Sequence, residues 1–224
     1  MTDRLPRRPK AVVFDMDGVL IDSEPLWHEA EMTAFAGRGV VLTRADCQQT
    51  TGVRIDAVVR HWAMQFPALT GVDHDAIVAE IITGVVDRIA ARGTAIPGAI
   101  ATLRAAVEAG MPVGVASSSP PHVIASALAR LGIADQFGAV CSAWDLPFPK
   151  PDPAVYLQAC AALGVAPADA VAIEDSHSGL LAGLAAGMMV VAFVDGRSPT
   201  PPAAEGADLV VSDLGQLPAL LLRR

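Results

Sequence analysis

Six short runs along the chain are apolar at nearly every position, without the alternation of a half-exposed strand. Continuous apolar runs of this length are typical of strands that are buried on both faces of a parallel sheet. They predict six strands at residues 11–14, 111–116, 138–142, 170–173, 188–194 and 208–211.

Between these runs, apolar residues recur at helical spacing. Glycine lies near several helix ends and proline near several helix starts, as helix caps require. The predicted helices span residues 98–110, 121–132, 153–163, 177–186 and 213–222. Strand–helix alternation over residues 95–224 predicts an α/β fold, a doubly wound (Rossmann-like) parallel sheet.

Residues 24–93 interrupt this alternation. They contain no clear strand, and segments such as AIVAEIITGVVDRIAARG have the spacing of a helix. We therefore predict an all-helical inserted domain at 24–93 and a core domain made of 1–23 and 94–224. Because the insertion follows the first strand directly, we expect it to act as a lid over the edge where that strand ends.

Composition excludes several function classes. The 224 residues carry a net charge of -8, and this acidic balance argues against nucleic-acid binding. The three cysteines are far apart, which argues against disulfides or zinc and fits a cytoplasmic protein. The uncharged segment 179–194 is shorter than the roughly 20 residues of a membrane span. We expect a monomer or weak homo-oligomer that acts on a small molecule.

Polar residues gather where three of the predicted strands end. Asp15 and Asp17 follow the first strand, serines 117–119 follow the second, and 174–176 (Glu-Asp-Ser) follow the fourth. Lys150, one of two lysines in the chain, lies in a proline-rich loop. Asp and Gly also form ordinary turns, but the carboxyl ends of parallel strands converge at one edge, where ligands bind.

This set of side chains suits phosphoryl transfer. Carboxylate oxygens are the ligands that Mg²⁺ prefers, and they leave positions for phosphate and water. One Asp could act as the nucleophile and form an aspartyl-phosphate, while its neighbour acts as acid and base. Ser117 and Lys150 would stabilise the transferring oxygens.

The segments DMDGVL, VGVASSS, KPDP and IEDS resemble, in this order and spacing, the four motifs of the haloacid dehalogenase-like hydrolase superfamily. The resemblance covers nearly the whole chain and implies an α/β core with a helical cap. It implies that Asp15 is the nucleophile and Asp17 the acid and base. It further implies phosphate binding by Ser117 with Ser118 beside it, a Lys150 that ties phosphate to the nucleophile, and Mg²⁺ held by Asp15, Asp17, Glu174 and Asp175.

Three further segments, DSEPLWHEAE (22–31), TTGVRIDAVV (50–59) and EDSHSGLLAGLAAGM (174–188), resemble the β-phosphoglucomutase-like branch, and most of all its hexitol and 2-deoxyglucose-6-phosphate phosphatases. This resemblance places Gly52 and Arg54 on the cap, facing the substrate. Arg54 could equally be a solvated helix charge. The expected function is a Mg²⁺-dependent phosphatase of small phosphorylated metabolites, sugar or polyol phosphates.

Other functions compete with this interpretation. A phosphosugar mutase of the same branch would need cap cations for a second phosphate, but residues 24–93 contain no lysine, and Trp27 stands where related mutases place histidine. A phosphoglycolate-type phosphatase stays open. A true haloacid dehalogenase lacks the second Asp of the first motif, and a signalling receiver domain is about half this length and has no helical insertion.

Overall fold

The computed structural model describes residues 5–197 and 199–222. Its centre is a single sheet of six parallel strands in the order β3-β2-β1-β4-β5-β6. The strands are β1 (Ala11–Phe14), β2 (Val113–Ser117), β3 (Ala139–Ser142), β4 (Ala170–Glu174), β5 (Met189–Phe193) and β6 (Leu209–Val211). All six predicted strands are present, with ends that shift by at most two residues.

Helices cover both faces of the sheet, so the predicted doubly wound α/β class is confirmed. Val12 and Phe14 of β1 point into one apolar cluster, and Ala11 and Val13 point into another on the opposite face. Burial on both faces explains why the strands are continuously apolar. The first cluster also takes in the buried side chain of Trp62 from the 24–93 segment.

The described ranges contain nine α-helices. The predicted helix at 213–222 begins as a 3₁₀ turn, Leu214–Gln216, and continues as the last α-helix. The helices are α1 (Glu24–Ala36), α2 (Arg44–Gln48), α3 (Ile55–Gln65), α4 (His74–Arg92), α5 (Ala99–Glu108), α6 (Pro121–Leu131), α7 (Ala154–Ala162), α8 (His177–Ala185) and α9 (Leu217–Leu222).

Helices α1 to α4 form the segment at 24–93, in which the structure has no strand. The chain enters and leaves this segment side by side. Ile21 and Ala95 form an antiparallel bridge, and the Asp22 backbone N–H donates to the Thr94 carbonyl at 2.9 Å. Helix α4 packs on both α1 and α6. The two chain segments that connect 24–93 to the core are therefore adjacent, as a lid over the sheet edge requires. The domain boundaries stay a prediction.

Two other observations bear on the sequence analysis. None of the helices within the described ranges combines the length and apolar character needed to cross a bilayer. Cys47, Cys141 and Cys160 are all free thiols.

Candidate active site

The carboxyl ends of β1, β2 and β4 meet at one edge, because these three strands are neighbours in the sheet. Asp15 follows β1 directly, Ser117 is the last residue of β2, and Glu174 is the last residue of β4. Asp15 and Glu174 are buried, which is unusual for carboxyl groups unless they are paired.

Lys150 is the partner of both buried carboxyl groups. Its Nζ donates hydrogen bonds to Asp15 Oδ1 and Glu174 Oε1, each at 2.6 Å, and to the Ala116 carbonyl at 2.9 Å. Its side chain is only 3% exposed, and Nζ lies 4.9 Å from the centre of the Tyr156 ring. One buried cation thus joins the ends of β1, β2 and β4.

The electrostatic state of this cluster follows from burial and from close charges. Burial alone would lower the pKa of Lys150, but the carboxylates of Asp15 and Glu174 outweigh it and hold this pKa above its ordinary value. Burial raises the pKa of Asp15 to about 8, against the attraction of Lys150. Glu174 and Asp17 add to this rise, because like charges that close disfavour ionisation.

A third carboxyl group, Asp175, joins the cluster. Asp15, Glu174 and Asp175 each place one oxygen atom within 4.8 Å of the others. Burial, followed by the nearby charges of Glu174 and Asp15, raises the pKa of Asp175 well above its ordinary value. Three carboxyl groups face a single ammonium group here, so their negative charge is not balanced. Such a set of oxygen ligands fits a hard divalent cation.

Two glycines make room for these carboxylates. Gly18 has φ +79°, and a Cβ atom at this position would lie 2.0 Å from Asp175 Oδ2. A Cβ atom at Gly179 would lie 1.6 Å from Glu174 Oε1. Any larger residue would displace an acidic side chain, so the glycines of DMDG and of the EDSHSG segment are part of the site's construction.

Asp17 lies apart from the lysine and has its own set of partners. Its Oδ1 accepts hydrogen bonds from Ser23 Oγ at 2.5 Å and Trp27 Nε1 at 3.1 Å. Its Oδ2 accepts one from Ser119 Oγ at 2.7 Å. Ser23 and Trp27 lie at the start of α1, whereas Ser119 follows β2. Three donors therefore hold Asp17 between the sheet and the 24–93 segment.

The residues expected to bind the substrate lie in different environments, two at the carboxyl end of β2 on the sheet edge and two in the loop between α2 and α3. Ser118 and Gly52 line the cavity described below. Ser117 is fully buried, and its hydroxyl accepts the backbone N–H of Ser119 at 3.0 Å. Arg54 also lines the cavity, but its guanidinium already forms hydrogen bonds of 2.7 and 2.9 Å with Asp56.

A cavity of about 600 Å³ opens over the cluster, between the sheet edge and helices of the 24–93 segment. Its floor includes Asp15, Asp17 and Lys150, and its opposite wall is made by α1, α2 and the loop after α2. That wall presents Glu24, Trp27, His28, Glu31, Gln48, Thr50 and Thr51. A small molecule in this cavity would contact the acidic cluster at one end and the inserted helices at the other.

The sequence analysis missed several of these groups. Ser23, Ser119 and Tyr156 are not among the residues expected at the site from sequence, and Trp27 enters the argument against a mutase but is not expected as a partner of Asp17. Tyr156 donates a hydrogen bond from its hydroxyl to Glu174 Oε1 at 3.1 Å. The run of three serines at 117–119 was a usable signal for Ser119, since it follows a buried strand.

Removing Lys150 should strongly destabilise the metal-free protein. In Lys150→Ala, the carboxyl groups of Asp15 and Glu174 would stay buried without their cation, so the free energy of unfolding should fall by about 3–5 kcal/mol. The measurement is urea unfolding in EDTA.

The other lysine is the matched control. Lys10 pairs with Asp169 at 2.9 Å, but its side chain is 70% exposed. Lys10→Ala should therefore cost less than about 1 kcal/mol, as exposed ion pairs do. Similar small losses in both variants would show that the buried network around Lys150 is not a stabilising feature.

Comparison with known proteins places this geometry in a family. Residues 9–187 match a family model described as haloacid dehalogenase-like hydrolase. Hexitol phosphatase B of Escherichia coli (strain K12) is 38% identical over 215 residues, which cover 96% of each chain. Validoxylamine A 7'-phosphate phosphatase of Streptomyces hygroscopicus subsp. limoneus is 30% identical, covering 93% of this chain and 95% of that protein.

Among solved structures, CbbY from Rhodobacter sphaeroides in complex with phosphate superposes with a TM-score of 0.83. The alignment covers 93% of this chain and 96% of that one at 23% identity, so the likeness concerns the fold. The family model spans residues 9–187, which include all four motifs at the sheet edge, and the two relatives match nearly the whole chain. The chain therefore belongs to the haloacid dehalogenase-like hydrolases.

Proposed function

We propose that this hydrolase is a phosphatase that cleaves small phosphomonoesters, specifically sugar or polyol phosphates, through an aspartyl-phosphate. The observation that carries the proposal is the pair of aspartates in one cavity with opposite surroundings. Asp15 is fixed by a lysine beside further carboxylates, whereas Asp17 is held by neutral donors only. Two carboxyl groups with such different environments suit two different chemical roles.

Asp15 would attack the phosphorus atom and break its bond to the leaving oxygen. Lys150 holds Asp15 Oδ1, which leaves the second carboxylate oxygen available, and Glu174 together with the Ala116 carbonyl fixes Lys150. The same ammonium group would stabilise the charge of the transferring phosphoryl oxygens. Glu174 would thus act through the lysine, as a positioning residue.

Asp17 would protonate the leaving oxygen as it departs. As a carboxylate it would then take a proton from water, which attacks the aspartyl-phosphate and releases inorganic phosphate. Asp17 lies between the sheet edge and α1, so it would be close to the oxygen that joins the phosphoryl group to a leaving group in the cavity. This position suits both steps. Ser23, Trp27 and Ser119 would orient it.

The acidic cluster fits a divalent cation of the kind that haloacid dehalogenase-like hydrolases use. We propose that this cation is Mg²⁺. Asp15, the backbone carbonyl of Asp17 and Asp175 would hold it, with Glu174 in support. When bound, it would neutralise phosphate charge and favour the ionised form of Asp15. The crowding of one oxygen each from Asp15, Glu174 and Asp175 within 4.8 Å supports a cation at this point. Asp17, which is not part of this group, is added by the resemblance of the first motif.

The remaining expected residues would bind the substrate. Ser117 and Ser118, after β2, would bind the phosphoryl group, and Gly52 and Arg54 would contact the substrate from the cap at 24–93. For Arg54 this requires an exchange of partners, since its guanidinium is paired with Asp56. The cytoplasm is the compartment we propose, on the support of three free cysteines.

The substrate class is supported by the relatives named hexitol phosphatase B and validoxylamine A 7'-phosphate phosphatase. The test is phosphate release, with Mg²⁺, from a panel of hexitol phosphates, sugar phosphates, phosphoglycolate and p-nitrophenyl phosphate. β-Glucose 1-phosphate with catalytic β-glucose 1,6-bisphosphate is the arm for a mutase. Glucose 6-phosphate formed faster than free phosphate would overturn the proposal.

Asp175→Ala should raise the Mg²⁺ concentration for half-maximal activity by at least about tenfold, because one of three clustered ligands is lost. The measurement is a Mg²⁺ titration of p-nitrophenyl phosphate hydrolysis after treatment with EDTA. The exposed Asp135, changed to alanine, is the control and should leave the titration unchanged. Full activity of the unaltered protein in EDTA would contradict the metal assignment.

A further inference from the structure

Glu31 is a buried carboxyl group that the proposed chemistry does not use. It lies on α1, is only 5% exposed, and lines the cavity on the wall opposite Asp15. Its Oε2 is buried and has no hydrogen-bond partner among residues 5–197 and 199–222. A buried polar atom without a partner costs stability, so its retention at a cavity wall points to a ligand.

The immediate neighbours of Glu31 leave this atom free. Burial raises the pKa of Glu31 to about 7, and the neighbouring Cys47 thiol offsets this rise only in part. His28, one turn earlier, lies 3.7 Å from Glu24 and 3.5 Å from the Thr51 hydroxyl. Besides the Trp27 and His28 rings, the wall around Glu31 therefore presents hydroxyl, thiol and amide groups and a second carboxylate.

The described side chains around the cavity do not provide a free cation for a second anion. Burial lowers the pKa of His28, one turn before Glu31, and so favours its neutral form. The lysine and arginine side chains that line the cavity are already ion-paired within the part of the chain that the structure describes. The pairs are Lys150 with Asp15, Arg54 with Asp56 and Arg197 with Asp22. If a substrate carried a carboxylate or a second phosphate at its far end, this negative charge would lie beside Glu31 without a free counter-charge.

Helix α1 sets the distance between the two ends of a bound substrate. Trp27 donates to Asp17 at 3.1 Å, and Glu31 follows four residues later on the same face of the helix. Four residues rise by about 6 Å along the axis. A leaving group whose oxygen lies at Asp17 would therefore reach Glu31 through a chain of several carbon atoms.

We infer that Glu31 is a specificity residue that accepts a hydrogen bond from a hydroxyl group at the far end of the leaving group. The substrates would then be uncharged polyhydroxylated phosphomonoesters, and esters with an anionic far end would be rejected. This inference rests on the proposed phosphatase function and narrows its substrate class.

The test compares two substrates of equal length, sorbitol 6-phosphate and 6-phosphogluconate, with p-nitrophenyl phosphate as a reference without aliphatic hydroxyls. At pH 8, where a Glu31 carboxyl group with a pKa of about 7 is mostly ionised, the unaltered protein should favour sorbitol 6-phosphate over 6-phosphogluconate in kcat/KM by at least about tenfold. Glu31→Leu should lower kcat/KM for sorbitol 6-phosphate about 10–100-fold, as loss of a hydrogen bond to a charged group does. Turnover of p-nitrophenyl phosphate should change less than about threefold in the same variant.

Glu31→Gln separates charge from shape. Its neutral amide should lower the ratio of kcat/KM for sorbitol 6-phosphate to kcat/KM for 6-phosphogluconate at least about fivefold, because the repulsion between residue 31 and the substrate carboxylate is removed. Glu29→Gln, two residues earlier on α1, is the matched control. Glu29 pairs with Arg88 at 3.6 Å, does not line the cavity, and should leave all three substrates unaffected.

Melting temperature distinguishes a binding role from a structural one. Glu31→Leu removes an unpartnered buried oxygen, so it should raise the melting temperature by about 2–4 °C, whereas loss of a structural contact would lower it. Equal loss of activity with all three substrates, or no preference against 6-phosphogluconate, would overturn the inference and leave the phosphatase standing. An unaltered protein that hydrolyses none of them would remove both.

Discussion

Asp15→Asn should lower kcat by about 10⁴–10⁶-fold on every phosphomonoester, as loss of a nucleophile does in other enzymes with covalent intermediates. The amide is nearly the same size, but it is a poor nucleophile and cannot leave as a carboxylate. The loss should be independent of the leaving group, because the nucleophile is needed for all substrates. The measurement is kcat with sorbitol 6-phosphate and with p-nitrophenyl phosphate.

Intact-protein mass spectrometry provides a second measurement for Asp15→Asn. No phosphoryl group should appear on the variant after mixing with p-nitrophenyl phosphate. Asp169→Asn is the control, since Asp169 is bonded to Lys10, outside the cavity. A phosphorylated Asp15→Asn protein would assign the nucleophile to another residue.

Asp17→Asn should lower kcat on sorbitol 6-phosphate by about 10²–10⁴-fold, the usual contribution of a general acid and base. The first step should be less affected with p-nitrophenyl phosphate, because p-nitrophenolate leaves without a proton. The second step should still stall, because water has lost its base. The expected result is one equivalent of p-nitrophenol released in a burst, together with a phosphorylated protein.

Circular dichroism should show that Asp17→Asn is folded, since the asparagine oxygen can still accept from Ser23 and Trp27. Retention of more than a tenth of the original kcat on sorbitol 6-phosphate would refute the role of Asp17. Absence of a burst together with full loss of turnover would instead assign Asp17 to binding.

The elements of the core could be predicted well because each depends on a local pattern. Strands buried on both faces must be apolar throughout, as in β1 and β4, and this pattern gives both their positions and the parallel sheet. Parallel order then brings Asp15 and Glu174 together, whatever the details of packing. The site's acidic cluster was therefore accessible from the sequence.

The partners of Asp17 and the burial of Glu31 were not accessible in this way. Both depend on how α1 packs against the sheet edge, and no spacing along the chain encodes that contact. Arg54 had a local signal, since Asp56 follows two residues later at the start of α3. That residues 24–93 move as a separate domain stays a prediction.

The sheet order has a consequence for how the protein is made. β1 is the first strand in the chain, yet it lies in the middle of the sheet, where Val12 faces Val113 on one side and Val171 on the other. During synthesis its first neighbour emerges only when half of the chain is complete, and its second after about three quarters. Until then β1, which is apolar at all four positions, has exposed edges, a condition that favours aggregation. Early compaction of the 24–93 helices would shorten the loop that β1 must close, so the insertion that shapes the cavity can also speed assembly of the sheet.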